Sequence, residues 1–73
     1  MMEANGFKKR LMEANETKEF LKLIFQYPSS NRAVVKRGKV LDCSEDSFDF
    51  EEIMDGHVTY AYKFLVEIKG EGE

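Results

Sequence analysis

The run Arg32-Ala33-Val34-Val35-Lys36-Arg37-Gly38-Lys39-Val40 carries four cations and no acid, and a glycine interrupts its β-branched residues. A glycine inside a strand sacrifices packing, and strands carry one where a bulge, a sharp bend or a close backbone approach requires it. In a chain of 73 residues this is a severe constraint, because one small core must outweigh the chain entropy. The single cysteine, Cys43, excludes an intrachain disulfide. A strand bent at Gly38 can belong to two sides of one sheet, so the core is best closed by a small barrel.

The flanking patterns supply the other elements. Phe7, Leu11 and Ala14 recur at helical spacing, which predicts an amphipathic helix over 3–15, with Asn15-Glu16-Thr17 as its stop. Glu19 to Tyr27 reads as a strand with Leu21, Leu23, Phe25 and Tyr27 on one face. A helix presenting Phe20, Leu23, Ile24 and Tyr27 fits the same letters, and the competing arrangement is one helix from Glu3 to Tyr27. The strand is preferred because the run ends at Tyr27-Pro28-Ser29-Ser30-Asn31, which is turn chemistry. Ala33 to Cys43 follows as a long strand broken at Gly38, and Ser44 to Ser47 as a polar turn. Phe48 and Phe50 then alternate with acids, and Ile53 breaks that parity, which predicts a bulge near Glu51-Glu52. Asp55-Gly56 predicts a two-residue hairpin turn, since such turns need positive φ. Val58, Tyr60, Tyr62, Phe64, Val66 and Ile68 then occupy every even position, as in a strand with one buried face, bent or split near Phe64-Leu65. Phe20, Ile24 and Leu65 fall on the face opposite the expected core, where the helix, a second subunit or a partner would cover them. The expectation is one α+β domain over 1–73: a helix at 3–15, a strongly bent five-stranded antiparallel SH3-like or Sm-like barrel at 19–69, and a frayed tail at 70–73.

Charge is segregated within a net of -3. Nine of the eleven basic residues lie between Lys8 and Lys39, and the seven acids from Asp42 to Asp55 have no base among them. Either a positive contact face results, or neighbouring strands of opposite sign pair across the sheet. No apolar run is long enough for a membrane span and MMEANGFKKR lacks the apolar stretch of a secretory signal, so a cytoplasmic protein is expected. One histidine, His57, and one cysteine offer no metal cluster and no activated thiol, so no enzyme activity, metal or cofactor is expected. The acids lack the alternating-ligand loop of a calcium site.

Gly38-Lys39-Val40, the polar turn, Phe48-Asp49 and Tyr62-Lys63 together resemble the Sm-like superfamily, especially its Hfq-type branch. The C-terminal barrel of WYL-type regulators has a similar ground plan. The resemblance implies a helix ahead of five bent strands, a bending glycine at Gly38, and Lys63 at the junction of the fourth and fifth strands. It implies RNA binding and ring assembly through strand edges. Asp49 stands where many members have a base-contacting asparagine, and Phe64 where the Hfq-type branch has a histidine; neither replacement offers a side-chain hydrogen-bond donor.

For nucleic acid, the residues to neutralise phosphates are Arg32, Lys36, Arg37, Lys39 and Lys63, and Tyr27, Tyr60 or Tyr62 would be the stacking platform. The alternation places Tyr60 and Tyr62 with the core instead. The expected function is a non-enzymatic small binding module of Sm-like type, an RNA-binding or RNA-associated adaptor, with single-stranded RNA as the expected partner. The alternative is a protein-interaction or ligand-sensing module acting through strand edges and homo-oligomerisation. Gly38, Asp55 and Gly56 are the residues expected to shape the fold.

Overall fold

The computed structural model describes residues 4–70. Helix α1 (Ala4–Thr17) precedes five strands, β1 (Phe20–Phe25), β2 (Val34–Cys43), β3 (Ser47–Glu52), β4 (Gly56–Ala61) and β5 (Leu65–Gly70), with a 3-10 turn at Tyr62–Phe64 between the last two. The sheet order is β4-β3-β2-β1-β5 and every ladder is antiparallel. This is the α+β arrangement the residue patterns predict.

The helix forms because Phe7, Leu11 and Ala14 share one stripe, and all three are buried. Its predicted first residue, Glu3, lies outside the described residues. It runs two residues past the predicted end, and Lys18 rather than Asn15 takes the left-handed conformation, at φ 59°. The Glu19 N–H donates to the Ala14 carbonyl (2.9 Å) and the Lys18 N–H to that of Asn15 (3.4 Å), the paired bonds of a Schellman cap. An Arg10 guanidinium fork on the Glu19 carboxylate, at 3.0 and 2.9 Å, fixes the exit into β1.

β1 is a strand, with Leu21, Leu23 and Phe25 fully buried and Phe20, Lys22 and Ile24 on the other face. β2 begins at Val34, so Ala33 lies just outside it. Around Gly38 the curl is steep: a Cβ there would overlap the Glu51 carbonyl oxygen, with the carbonyl carbon at 2.8 Å and Phe50 Cε2 at 3.0 Å. Strands spaced about 4.8 Å apart would hold β1 and β4 about 14 Å apart in a flat sheet. Instead the rings of Phe25 on β1 and Tyr60 on β4 meet at 4.7 Å between centroids, so the sheet has rolled onto itself. No ladder joins β4 to β5 among the described residues, so the sheet is curled but not closed, and the Gln26 N–H bond to the Phe64 carbonyl (2.8 Å) extends the β1–β5 pairing into the 3-10 turn. Phe25, Phe48 and Phe50 fill the interior with Leu11, Leu21 and Leu23, each of these side chains contributing about 1.5–3 kcal/mol on burial.

Several local expectations are corrected. The bulge sits at Leu41 on β2, between the pairs Val40↔Phe50 and Asp42↔Asp49, and β3 pairs with β4 without interruption through Glu52. Ile53 breaks parity because the strand has ended. The hairpin loop is the three-residue turn 53–55 rather than a two-residue Asp55-Gly56 turn; Gly56, at φ +76°, opens β4 opposite Glu52. The turn is held by the buried Glu52 carboxylate, which accepts the N–H groups of Met54 (2.9 Å) and Asp55 (2.6 Å). Even parity from 58 to 68 fails at the 3-10 turn, which advances the chain out of strand phase: Leu65 is 3 % exposed and Val66 54 %. Leu65 is therefore a core residue and not part of the outer face. Gly70 belongs to β5, opposite Leu21, rather than to a tail, and 71–73 lie outside the described residues.

Candidate nucleic-acid interface

Alternation along a strand sends neighbours to opposite faces, and this divides the cations of β2. Lys36 follows the face of Val34, Gly38 and Val40, lies opposite the buried Leu23, and sends its ammonium to Asp55 at 3.6 Å. Arg37 and Lys39 point outward and are exposed. Arg32 lies in the loop before β2, and Lys63 in the 3-10 turn, where its ammonium rests 5.1 Å from the Phe64 ring centre. Of the five predicted phosphate contacts, only Arg37 and Lys39 therefore share the outer face of the sheet.

Pairing adds two cations that the linear sequence does not single out. Lys22 on β1 stands opposite Arg37 on one side and opposite Lys69 of β5 on the other. Residues directly opposite share a face with Cβ atoms about 5 Å apart, so Lys69, Lys22 and Arg37 form one row across three strands. Among the described residues Lys22 and Arg37 make no ion pair, and Lys69 pairs with Glu67 at 3.9 Å. Next to the row, Phe20 pairs with Lys39 on one side, and Ile24 with Val35 on the other. The signal for Lys22 was its parity with Phe20 and Ile24, but its like-charged neighbours could be known only from the register.

The acids occupy the other half of the outer face. Glu51 lies opposite Lys39, so part of the basic strand does meet an acidic one. Asp49 faces Asp42, and its charge is answered locally: it accepts a hydrogen bond from the Thr59 hydroxyl at 2.7 Å and lies 3.5 Å from His57 Nε2. The Thr59 bond, then His57, hold the Asp49 carboxyl below its ordinary value despite some desolvation.

The tyrosines are largely committed to the interior. Tyr60 and Tyr62 are 8 % and 2 % exposed. Burial, with Glu52 next in weight, pushes the Tyr60 hydroxyl up to about 12. Tyr62 donates to the Ser44 carbonyl at 2.8 Å, and burial raises its hydroxyl as well. Tyr27 is half-buried between Phe25 and Phe64, at 6.0 and 5.0 Å. The ring that reaches the outer face beside the cations is Phe20. It lines a shallow hollow of about 490 Å³ together with Lys39, Glu51 and the Ile53–Met54 turn.

Cys43 is half-buried, and desolvation raises its thiol above the ordinary value, which opposes thiolate chemistry. Among the described residues, no group of three or more His, Cys, Asp or Glu is placed to hold a metal, and no helix is long and apolar enough to cross a membrane. No family model, curated protein or solved structure matches this chain.

Proposed function

We propose that this chain is a non-enzymatic binding module of Sm-like type that engages single-stranded RNA and works in the cytoplasm. The observation that carries this reading is the basic outer face of β2 and its neighbours. In a chain of net charge -3, Arg37 stands exposed and without an ion pair among the described residues. A local positive field of this kind attracts a polyanion even when the whole chain repels it. The Sm-like likeness draws support from the glycine-bent second strand and from Tyr62-Lys63 lying between the fourth and fifth strands. Arg32 and Lys63 lie at the opposite end of the sheet from Lys69 and would reach phosphate only weakly, while Lys36 is engaged with Asp55.

A second reading has its own support. β4 and β5 are the end strands of the sheet among the described residues, and β4 carries neither Lys nor Pro to block strand addition. Ile53 and Met54, 56 % and 84 % exposed, form an apolar tip beside β4. These features suit a protein partner or a homo-oligomer joined by edges.

Titration of labelled single-stranded RNA at two salt concentrations separates the readings. RNA binding weakens steeply as salt rises, because phosphate contacts release counterions. Absence of binding at low salt would end the RNA reading. Light scattering giving a mass several times 8.5 kDa would favour the assembling module.

A further inference from the structure

We infer that Lys69, Lys22 and Arg37 form a phosphate-binding row that lays a single RNA strand across β5, β1 and β2, at right angles to the strands. This rests on the RNA reading above and adds to it a site, an orientation and a number of contacts.

Like charges placed directly opposite each other destabilise a sheet. Lys22 is flanked by cations on both sides. Packing does not require this, since the position faces outward on a central strand where a threonine or valine would serve. A local arrangement that opposes the fold marks a place where another requirement operates. An anion bound over the row would turn the repulsion into attraction, with Lys22 touched by the ligand from the middle.

The dimensions suit a nucleic-acid backbone. Two inter-strand steps of about 4.8 Å make the row about 10 Å long, and a stacked strand advances about 3.4 Å along its axis per nucleotide, so about three nucleotides lie over it. The site also has boundaries. On the β3 side Glu51 and Asp49 repel phosphate, and near Lys69 the Glu67 carboxylate lies 3.9 Å from the ammonium. The contacts are thereby limited to about three, with Lys39 half-compensated by Glu51 across the ladder. Phe20, two residues before Lys22 on the same face, offers its ring to a base at the edge of the row.

The test uses the full chain with a fluorescein-labelled oligouridine of about 15 nucleotides, measured by anisotropy at about 50 and about 200 mM KCl. Three contacts at about 0.7 each give a log–log slope near −2, so wild-type affinity should fall about 20-fold over that range. Lys22→Gln, Arg37→Gln and Lys69→Gln should each weaken binding and flatten the slope by about 0.7. Arg32→Gln and Lys63→Gln should change the slope by less than half of that. Wild-type binding with the slope unmoved by the row variants would overturn the row and leave the RNA reading standing. No wild-type binding at the lower salt would overturn both, and salt-insensitive capture of a protein partner would overturn the row as well. Thermal unfolding provides a ligand-free check: removing the central charge should raise the midpoint of Lys22→Gln by a few degrees. A lowered midpoint would mean that Lys22 is a structural residue, and would overturn the inference.

Discussion

Replacing Gly38 with alanine tests the close approach on which the rolled sheet depends. The added methyl would overlap the Glu51 carbonyl oxygen and sit 2.8 Å from its carbon. Bringing even the carbon to an ordinary contact of about 3.5 Å needs β3 to retreat by about 0.7 Å, and clearing the nearer oxygen needs more. A ladder hydrogen bond of about 2.9 Å would then stretch past the 3.2 Å limit of good geometry. The pairs Gly38↔Glu52 and Lys39↔Glu51 are the ones affected, with the Ile53 N–H bond to the Arg37 carbonyl (2.9 Å) beside them. Two weakened backbone bonds in a buried position cost about 1–2 kcal/mol each. The lower unfolded-chain entropy of alanine returns at most about 1 kcal/mol. The net loss is about 2–3 kcal/mol, a large part of the stability of so small a domain, and corresponds to a midpoint lowered by about 10–20 °C. Urea and thermal unfolding followed by circular dichroism measure it. A Gly38→Ala protein within about 0.5 kcal/mol of wild type would refute the reasoning, because the strands would then have room that the described packing denies them.

Other outcomes follow from the same physics. Leu65→Ala should cost about 2–4 kcal/mol whereas Val66→Ala should stay within about 0.5 kcal/mol, measured by urea unfolding; equal costs would contradict the phase change at the 3-10 turn. Lys18→Gly should stabilise the helix cap by about 0.5–1 kcal/mol, since glycine holds a left-handed φ without the Cβ penalty, and a lower thermal midpoint would count against that cap. The Arg10 fork lowers the Glu19 carboxyl below its usual 4.5. That contribution is present above the unfolded value and disappears as pH falls through the lower folded one, so the midpoint gap between wild type and Glu19→Gln should close on acidification below the usual carboxylate value. A gap that widens in acid would reverse the assignment.

The elements themselves were legible in the letters. Phe7, Leu11 and Ala14 specify the helical stripe, and Leu21, Leu23 and Phe25 the inner face of β1, because period and burial are local properties of a chain with one core. Gly38 announced a bend for the same reason: a missing side chain in a β-branched run has few other uses. Less legible was anything that depends on where an element stops. The 3-10 turn at Tyr62–Phe64 put Leu65 inside and Val66 outside, and the ending of β3 at Glu52 explained Ile53 without a bulge. Such endings are decided by hydrogen bonds to other parts of the chain, here Gln26 to Phe64 and the Glu52 carboxylate to Met54 and Asp55.

For the candidate site the division is sharper. The sequence alone established that cations concentrate before Lys39 and acids after Asp42, and that Arg37 and Lys39 alternate with Lys36. Only the tertiary structure decided that Lys36 serves Asp55 while Lys22 and Lys69 join Arg37 from strands 15 and 32 residues away in the chain. Parity assigns a side chain to a face, but its neighbours on that face come from the register of other strands. That register is set by how the rolled sheet packs Phe25 against Tyr60, a long-range balance that no single segment contains.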